Sequence, residues 1–522
     1  MNDFETATNA KGLLWQLRHN SKLVGVTLIL STIYFTFGYD GGVVAGVLAM
    51  PYFNNTFGSQ TTPIGNILTP TNISLITALP NIGALLGLPA AAWGGDRFGR
   101  KVMILFACVL SLAGAVLQVA AFEIAMLIVG RTLGFMSIFI FLTLATAWLA
   151  EICPPNIRGT LASLSIVVID LAAVITACIN QGTKGLTGTA SYRIPLGIQI
   201  LWPCVIALGT FYVFDSPTFY LIKGRNDMAE ISLRSVRQGY SEMEILAELR
   251  GLQEQASLPQ SEQEVSWKEL FKGTNLRRTF LALMIANFQI LSGIAYATNY
   301  ATIFLSQVVK GEDPFVLTIG ITVLALGGAC VGLLLIDRIG RRTLALGTFV
   351  PLLIINIIIG GLGFADATNP DVGKAIASFS LMFAFFYAAG FGPLTYVVAG
   401  EIPTARLRNL TTTFSFFLLI CWTTGATYFL PYLSQSNGVG LGAKIYLIFA
   451  GWMLIATITV FFFLPETKGR SAAELDEMFE AGVSAWKFKK YVCRTSVENF
   501  AGLAKTETGA EEVENLNVAG KV

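Results

Sequence analysis

Three charged side chains lie deep within long apolar runs of this 522-residue chain: Asp40 in the first run, Arg131 in the fourth and Asp170 in the fifth. A charge at the centre of a membrane costs about 2.5–3.5 kcal/mol on insertion scales, so it needs a partner or water. Arg131 is the natural partner of Asp40. Protonating Asp40 would free Arg131 and link proton occupancy to conformation, whereas a static pair would only fix helix packing.

Asp170 has no equally evident partner in the sequence. It either lines a polar cavity, where it would bind a ligand or tune proton uptake, or extends toward water from a helix end. The residues alone leave both interpretations open.

The composition is that of an integral membrane protein, because 54% of the residues are hydrophobic and 13% are charged, against about 25% charged in soluble domains. The net charge of +2 excludes a general role in binding nucleic acid. The single histidine, His19, lies in a polar N-terminal stretch and the seven cysteines form no CxxC pair, so we expect no metal and no cofactor. The sequence shows no nucleophile–base set and no phosphate-binding loop, which favours a carrier over an enzyme.

Apolar runs of about 20 residues can cross a bilayer as helices. Twelve runs predict an all-α membrane protein, with spans at 23–49, 73–93, 102–122, 124–149, 160–180, 194–214, 279–305, 315–335, 343–364, 375–398, 410–430 and 443–464. We divide the chain into a tail (1–22), a six-helix half (23–214), a hydrophilic insert (215–278), a second six-helix half (279–464) and a second tail (465–522). Lysine and arginine concentrate in alternate connectors, so the positive-inside rule places both termini and the insert in the cytosol.

The insert alternates charged and apolar residues at helical spacing over 226–237 and 241–255, which predicts amphipathic helices. Their apolar stripe favours helices packed against the rest of the protein over a mere linker. A further helix is predicted at 473–479 in the C-terminal tail.

Two connectors carry nearly the same motif, DRFGRK at 96–101 and DRIGRR at 337–342. The second copy begins 241 residues after the first (337 minus 96), close to half the chain. After the fourth and tenth spans a glutamate is followed seven residues later by an arginine, as Glu151 and Arg158 and as Glu401 and Arg408. Two equivalent matches half a chain apart indicate duplication, and two six-helix halves with a substrate between them are a known transporter architecture.

The charged residues at these connectors have two interpretations. Positive charge alone would orient the chain in the membrane. Their mixed signs and duplicated spacing favour a second role, in which ion pairs between the halves close the cytosolic side. The residues of this predicted cytosolic gate are Asp96, Arg97, Arg100, Glu151, Arg158, Asp337, Arg338, Arg341, Glu401 and Arg408.

Asn54 and Asn72 lie in N-x-S/T sequons on the predicted outer side, so both are candidate glycosylation sites. Asn72 lies close to the membrane, which would limit its access. A third sequon, at Asn409, lies on the predicted cytosolic side, where it should stay unmodified.

Several stretches together carry a family resemblance: GGDRFGR at 94–100, GR at 130–131, residues 151–159, DSP at 215–217, the connector 337–342, GFGP at 390–393, residues 401–408 and PETKG at 465–469. On these motifs the chain resembles the sugar porter family of the major facilitator superfamily over nearly its whole length. Within that family, YRIPL at 192–196 and LPETKGR at 464–470 look like the fungal α-glucoside (maltose-type) permeases. The resemblance implies a twelve-helix bundle that works by alternating access.

The resemblance also implies residue roles. It places Asp40 beside Arg131 as the proton-coupling pair, and it places an outer-gate hinge in the tenth span at Gly390, Gly392 and Pro393. The seventh span keeps one family glutamine as Gln289. Other positions depart from the hexose porters, because Ile166 and Ala325 stand where that group has an amide, and Phe37 and Ala84 stand where the α-glucoside group often has glutamate.

Binding a sugar requires hydrogen bonds to its hydroxyl groups and an aromatic surface against its C–H face. The candidate substrate-binding residues that supply these groups are Gln289, Asn299, Tyr300, Gln199, Tyr396, Trp202 and Asp170. For the amides and aromatics the alternative roles are contacts between helices and anchoring at the membrane interface.

Together these features predict a plasma-membrane importer of a sugar, an α-glucoside such as maltose or a related sugar. It would act as a monomer in the lipid bilayer, with a proton as the coupling ion and no nucleic-acid partner. The alternatives are a facilitative carrier of a hexose, a polyol or an organic acid, and a non-transporting sugar sensor. Sensors of this kind carry long cytosolic tails, so the tail 465–522 argues against the last alternative.

Neutralising the predicted gate, by Glu151→Gln or Arg408→Gln, should bias the protein toward the conformation that is open to the cytosol. Losing one ion pair worth about 1 kcal/mol would lower the apparent affinity for a ligand added only from outside by roughly fivefold. Unchanged affinity for that ligand in either variant would contradict gating and leave orientation in the membrane as the role of these charges.

Overall fold

The protein is described by a computed structural model at residues 20–62, 65–153, 155–257, 266–309, 311–366, 369–404, 406–435, 438–470, 472–491 and 493. Over those ranges it is nearly all helical, and twelve segments are long and apolar enough to cross a membrane. We call them spans 1 to 12: Lys22–Val47, Pro70–Phe98, Arg100–Ala120, Ile124–Leu149, Leu164–Thr183, Ala190–Phe211, Gly273–Asn299, Pro314–Ile339, Arg341–Leu362, Pro370–Glu401, Leu410–Ser434 and Gly442–Phe463. The twelve predicted spans are confirmed, with ends that differ from the predicted ones by a few residues.

Several spans contain breaks or extend beyond the membrane segment. Span 2 consists of helices Pro70–Ala78 and Pro80–Phe98, span 6 of Ala190–Ile198 and Leu201–Phe211, and span 12 of a 3₁₀ turn Gly442–Ile445 followed by helix Tyr446–Phe463. The helices of spans 1, 4, 5 and 11 run over Ser21–Val47, Ile124–Ile152, Pro155–Thr183 and Arg408–Ser434.

Span 7 is interrupted, which the apolar pattern did not predict. Helix Gly273–Gln289 passes through a π turn, Ile290–Ile294, into the short helix Ala295–Asn299, and a separate helix follows at Ala301–Val308. Gly293 has φ 102° inside the turn and lies against the Phe449 ring, so a side chain at this position would be strained and would clash.

Short elements complete the connectors. A helix at Pro51–Phe57 precedes an antiparallel hairpin of strands Gln60–Thr62 and Gly65–Ile67. The predicted glycosylation site Asn54 is half-buried there, and its amide donates to the carbonyls of Leu48 and Met50 at 3.1 and 3.2 Å. Asn72 is half-buried as well and donates to the Ser59 hydroxyl at 3.3 Å. Glycosylation stays a prediction at both positions, and at both the side-chain amide is engaged.

The two predicted helices of the insert are confirmed as Asn226–Val236 and Glu242–Ser257, after a short helix Pro217–Ile222 and before a 3₁₀ turn Trp267–Phe271. Leu233 of the first helix and Leu249 of the second pack in a small apolar cluster with Leu221 of the short helix. Arg237 is buried, forms two hydrogen bonds with Glu248 at 2.7 and 2.8 Å, and donates to the Ile152 carbonyl at the end of span 4. The insert is therefore packed onto the first half.

The predicted tail helix is confirmed as Ala472–Glu480, followed by a 3₁₀ turn Phe488–Lys490. Arg278, near the start of span 7, pairs with Asp476, and its guanidinium lies 4.5 Å from the Phe479 ring centroid. Arg277 donates to the Val483 carbonyl at 3.0 Å. This segment is thereby fixed to the second half.

The two halves, spans 1–6 and spans 7–12, are joined mainly at one end. We call the end with connectors 94–101 and 337–342 the basic end, and the other the opposite end. At the opposite end, Thr71 bonds to Tyr432 at 2.7 Å, Ser74 to the Tyr428 carbonyl at 2.7 Å and Thr77 to Tyr300 at 2.6 Å. At the basic end, no ion pair between described side chains joins spans 1–6 to spans 7–12, and Arg406 pairs with Glu269 of the insert at 3.4 Å. The space between the halves is therefore closed by contacts at the opposite end.

An ion pair strengthens this closure. Lys184, after span 5, pairs with Asp313, before span 8, and Gln181 donates to the same carboxylate at 3.0 Å. Burial alone would raise the pKa of the Asp313 carboxyl, but hydrogen bonds from Lys184, Gln181 and the Phe315 N–H outweigh it and hold the pKa below its ordinary value. A lowered pKa means that the pair stabilises the closed end above the ordinary carboxyl pKa and is lost only as pH falls through the lowered value.

The Asp313→Asn variant should open the opposite end more often at neutral pH, because a half-exposed pair contributes about 1 kcal/mol, or roughly fivefold in population. The readout is the rate at which an impermeant thiol reagent labels a cysteine placed at Thr298, between the halves, with exposed native cysteines replaced by serine.

The control is Glu312→Gln, which removes an exposed carboxylate next to Asp313 and should leave the labelling rate unchanged. Equal labelling in the Asp313→Asn and Glu312→Gln proteins would show that the ion pair does not hold this end closed.

Candidate functional site

A cavity of about 420 Å³ lies between the two halves. Spans 1, 2, 4 and 5 line one side, and spans 7, 8, 10 and 11 line the other. The residues predicted from the sequence that line it are Asp40, Arg131, Asp170, Gln289, Asn299, Tyr396 and Gly392. Aromatic rings such as Phe37, Phe135 and Phe139 lie beside these polar groups, so the cavity offers both hydrogen-bonding and apolar surface.

Asp40 and Arg131 are almost fully buried and form an ion pair between spans 1 and 4, with Oδ2 3.7 Å from Nη2. Arg131 also donates from Nε to the Ile76 carbonyl of span 2 at 3.0 Å, and it lies over the Phe135 ring. Neither Asp40 Oδ2 nor Arg131 Nη1 has a hydrogen-bond partner among the described residues. The pair is attracted by charge but is too far apart to be hydrogen-bonded.

Span 1 approaches span 5 closely because glycines form its contact face. A Cβ at Gly38 would lie 2.2 Å from the Ile169 carbonyl oxygen, and one at Gly46 would lie 2.2 Å from the Asn180 amide. A larger side chain at either position would force the helices apart. This close contact brings Asp40 and Asp170 to the same cavity.

Gln199 and Trp202 of span 6 lie behind span 1 and outside the cavity lining. Gln199 Nε2 donates to Asp40 Oδ1 at 3.4 Å. The Trp202 ring packs against Phe35 and Tyr39, with centroids 4.5 and 5.7 Å apart. The expectation that these two residues contact a substrate is therefore not met in this conformation, and both support the helix that carries Asp40.

Tyr300 also lies outside the cavity lining, although it was predicted to bind substrate. Its hydroxyl donates to the Thr427 carbonyl at 2.8 Å and forms the hydrogen bond with Thr77 that joins the halves. Only 3% of its surface is exposed. In this conformation Tyr300 belongs to the closure of the opposite end.

Asp170 faces polar side chains of the second half. Gln289, Tyr387 and Tyr396 of the second half line the same cavity as Asp170. Sequence analysis missed Tyr387. It precedes Tyr396 by nine positions, about two and a half turns of an α-helix, so periodicity alone would put the two on opposite faces.

Other polar lining residues were also missed: Asn81, Asn180, Thr298, Thr302, Thr318 and Thr322. They are uncharged and lie in apolar runs, where amides and hydroxyls commonly serve as contacts between helices. Asn180 does both, because its amide donates to the Gly42 carbonyl at 3.1 Å while its side chain lines the cavity. The sequence contains no signal that separates the two roles.

The predicted hinge residues lie within the helix of span 10. Gly392 lines the cavity, and Pro393 lies in the helix interior. At Gly390 a Cβ would lie 2.2 Å from the Thr348 hydroxyl oxygen of span 9, so close packing by itself requires glycine there. Bending at this site stays a prediction.

At the basic end of the first half, buried Arg100 organises the connector. Its guanidinium pairs with Glu151 at 2.8 Å and with Asp96 at 3.4 Å. Asp215 accepts from the backbone N–H groups of Arg100 and Lys101 at 3.2 and 3.1 Å. Burial raises the pKa of the Asp215 carboxyl, although these N–H groups act in the other direction.

The second half repeats this arrangement. Arg341 pairs with Glu401 at 2.7 Å and with Asp337 at 3.1 Å. Glu466 accepts from the backbone N–H groups of Arg341 and Arg342 at 2.8 and 3.2 Å. The motifs that recur half a chain apart therefore form equivalent networks in space.

Three remaining residues of the predicted cytosolic gate, Arg97, Arg338 and Arg408, form no ion pair between the halves among the described residues. Arg97 and Arg338 are exposed, and Arg408 is half-buried with its Nε unpartnered in the described part of the chain. The Arg158 side chain lies outside the described residues. The ion pairs observed at the two connectors lie within one half each, so a gate between the halves remains a prediction for another conformation.

Comparison with known proteins gives the relationships of the chain. Residues 26–479 match the family model "Sugar (and other) transporter". The probable glucose transporter rco-3 of Neurospora crassa is 28% identical over 512 residues, which covers 94% of this chain and 85% of that protein. The low-affinity glucose transporter HXT1 of Saccharomyces cerevisiae is 27% identical over 470 residues, covering 88% and 82%. The xylose transporter XylE from E. coli, in a partially occluded inward open conformation, superposes with a TM-score of 0.71 at 18% identity, covering 87% of this chain and 100% of that one.

The structural likeness confirms the major facilitator fold expected from the sequence. The resemblance to α-glucoside permeases is not supported, because the two curated relatives named above are described as glucose transporters. They are transporters rather than enzymes, which agrees with the expectation of a carrier. Since the family model spans most of the sequence, this multi-pass membrane protein belongs to the sugar (and other) transporter family.

Proposed function

We propose that the protein imports a hexose-type monosaccharide across the plasma membrane by alternating access, in symport with a proton. The observation that carries transport is the cavity of about 420 Å³ between the halves, which contacts between those halves close at the opposite end. A site lined by both halves faces one side of the membrane or the other as the halves rock about it. The cavity, its closure and both networks are built from one chain, so a monomer suffices.

A monosaccharide replaces the α-glucoside that the sequence first indicated. The α-glucoside interpretation depended on short stretches at 192–196 and 464–470, and Tyr192 in the first of them is fully buried. The relatives named as glucose transporters match along most of the chain. The amides of Gln289 and Asn299 and the Tyr396 hydroxyl can bond sugar hydroxyls, while Phe37 and Phe139 offer apolar surface to the ring.

Proton coupling is supported by a chain of contacts from Asp40 to the closed end. Arg131 is held by the charge of Asp40 and by the Ile76 carbonyl. The next residue, Thr77, bonds to Tyr300 of the other half at 2.6 Å. Neutralising Asp40 by a proton removes one of the two attachments of Arg131 and so changes the support of the helix that closes the opposite end.

The order of the transport steps follows from the orientation of the protein in the membrane. If the basic end faces the cytosol, as the positive-inside rule predicts, the observed conformation is the one that releases substrate inward. Sugar and proton would enter from outside when the contacts at the opposite end separate. Release of the proton on the cytosolic side restores the Asp40–Arg131 pair as it is seen in this structure.

Expressed in cells that lack their own sugar carriers, the protein should take up labelled glucose but not labelled maltose, and a protonophore should abolish accumulation. The Asp40→Asn variant should still equilibrate glucose yet lose accumulation against a gradient, because its side chain cannot carry a proton. Uptake with and without the protonophore measures both effects.

The matched control is Asp227→Asn, which makes the same substitution at an exposed position of the insert and should behave as wild type. An Asp40→Asn protein that keeps its full dependence on the proton gradient would rule out coupling through this residue. Uptake of maltose alone would restore the α-glucoside interpretation, and uptake of neither sugar by protein at the cell surface would contradict hexose transport and favour a sensor or another substrate.

A further inference from the structure

Asp170 is a cavity-lining charge for which the coupling mechanism has no use. It lies in span 5, and among the described residues no lysine or arginine pairs with it. Arg131 also lines the cavity, but it is held by Asp40 and by the Ile76 carbonyl. Asp170 therefore faces the cavity without a compensating cation.

The charges lining the cavity do not balance. Asp40 and Arg131 cancel, so the lining carries one net negative charge whenever Asp170 is ionised. In a partly dehydrated cavity such a charge repels anions and attracts cations much more strongly than it would in bulk water. The cavity as built therefore disfavours a carboxylate-bearing substrate, which was one of the alternatives that the sequence left open.

The position of Asp170 is suited to contact with a substrate. The neighbouring cavity-lining residues of span 5, Ile166, Ile169 and Ala173, are apolar, so Asp170 is the hydrogen-bonding group of that stretch. Tyr387 and Tyr396 of the second half line the same cavity. A ligand between the halves would meet a strong acceptor on one side and hydroxyl groups on the other.

We propose that Asp170 contacts the substrate and sets the charge selectivity of the cavity. Its carboxylate accepts hydrogen bonds from neighbouring hydroxyl groups of a neutral sugar, since two oxygens can serve two donors. It favours an amino sugar, whose ammonium group replaces one hydroxyl, and it excludes sugar acids. This inference rests on the proposed function, because it assumes that a sugar occupies the cavity.

The test measures binding of glucosamine, glucose and glucuronate to the purified protein, by ligand-dependent thermal stabilisation at a pH where the amino group is protonated. Wild type should bind glucosamine more tightly than glucuronate. In Asp170→Asn the ratio of the two dissociation constants should shrink by on the order of tenfold, the value of one charge-assisted hydrogen bond. An unchanged ratio would overturn the inference.

Two variants separate charge from structure. Asp170→Glu keeps the charge and should keep the order of preference even if all affinities change. Asp227→Asn removes a distant exposed carboxylate and should leave the ratio unaltered. If Asp170→Asn does not fold, the wild type decides alone, since glucuronate binding as tight as glucosamine binding would overturn the inference.

Glucose uptake in cells distinguishes this inference from the proposed function. If both proteins take up glucose, and wild type and Asp170→Asn have the same ratio of glucosamine to glucuronate dissociation constants, the role of Asp170 is overturned and hexose import stands. Absent glucose uptake, together with glucosamine binding that depends on Asp170, overturns hexose import and supports the selectivity. Binding of none of the three sugars overturns both.

Discussion

A charge buried in an apolar helical bundle must be neutralised, and the Asp40–Arg131 pair is where the first half meets this constraint. Four helices converge on the pair: span 1 carries Asp40, span 4 carries Arg131, span 2 offers the Ile76 carbonyl and span 6 offers Gln199. Because neither charge is stable alone in this environment, the proposed coupling makes the relative placement of these helices depend on the protonation of one carboxylate. Under that proposal, a local chemical event alters the packing of a whole half.

The two ends of the bundle are held by different kinds of contact. At the basic end Arg100 and Arg341 each gather carboxylates of their own half, so neither described network has to break when the halves separate there. At the opposite end the contacts cross between halves through a few hydroxyl groups and the Lys184–Asp313 pair. Each such contact contributes little, typically 1 kcal/mol or less. Rigid halves joined by weak contacts favour rocking over internal rearrangement.

Much of the architecture could be predicted from the sequence because length, hydropathy and duplication constrain it strongly. The twelve spans, the helices of the insert and the tail helix follow from periodicity, and both charged networks follow motifs repeated half a chain apart. The site was harder to predict, because a residue type does not reveal which way a side chain faces in an apolar helix. Gln199 and Tyr300 look like substrate ligands but face other helices, whereas Tyr387 reaches the cavity from an unexpected face. The break at Gly293 likewise depends on a tertiary contact with Phe449.

The two cavity carboxylates differ in a way that the same electrostatic constraint explains. Asp40 has a partner, so gaining a proton exchanges one neutral arrangement for a free Arg131 and thereby acts on the helices. Asp170 has no such partner among the described residues, so gaining a proton or a cation would neutralise the cavity without releasing anything. In the proposed mechanism, therefore, one carboxylate moves the protein and the other selects what the cavity holds.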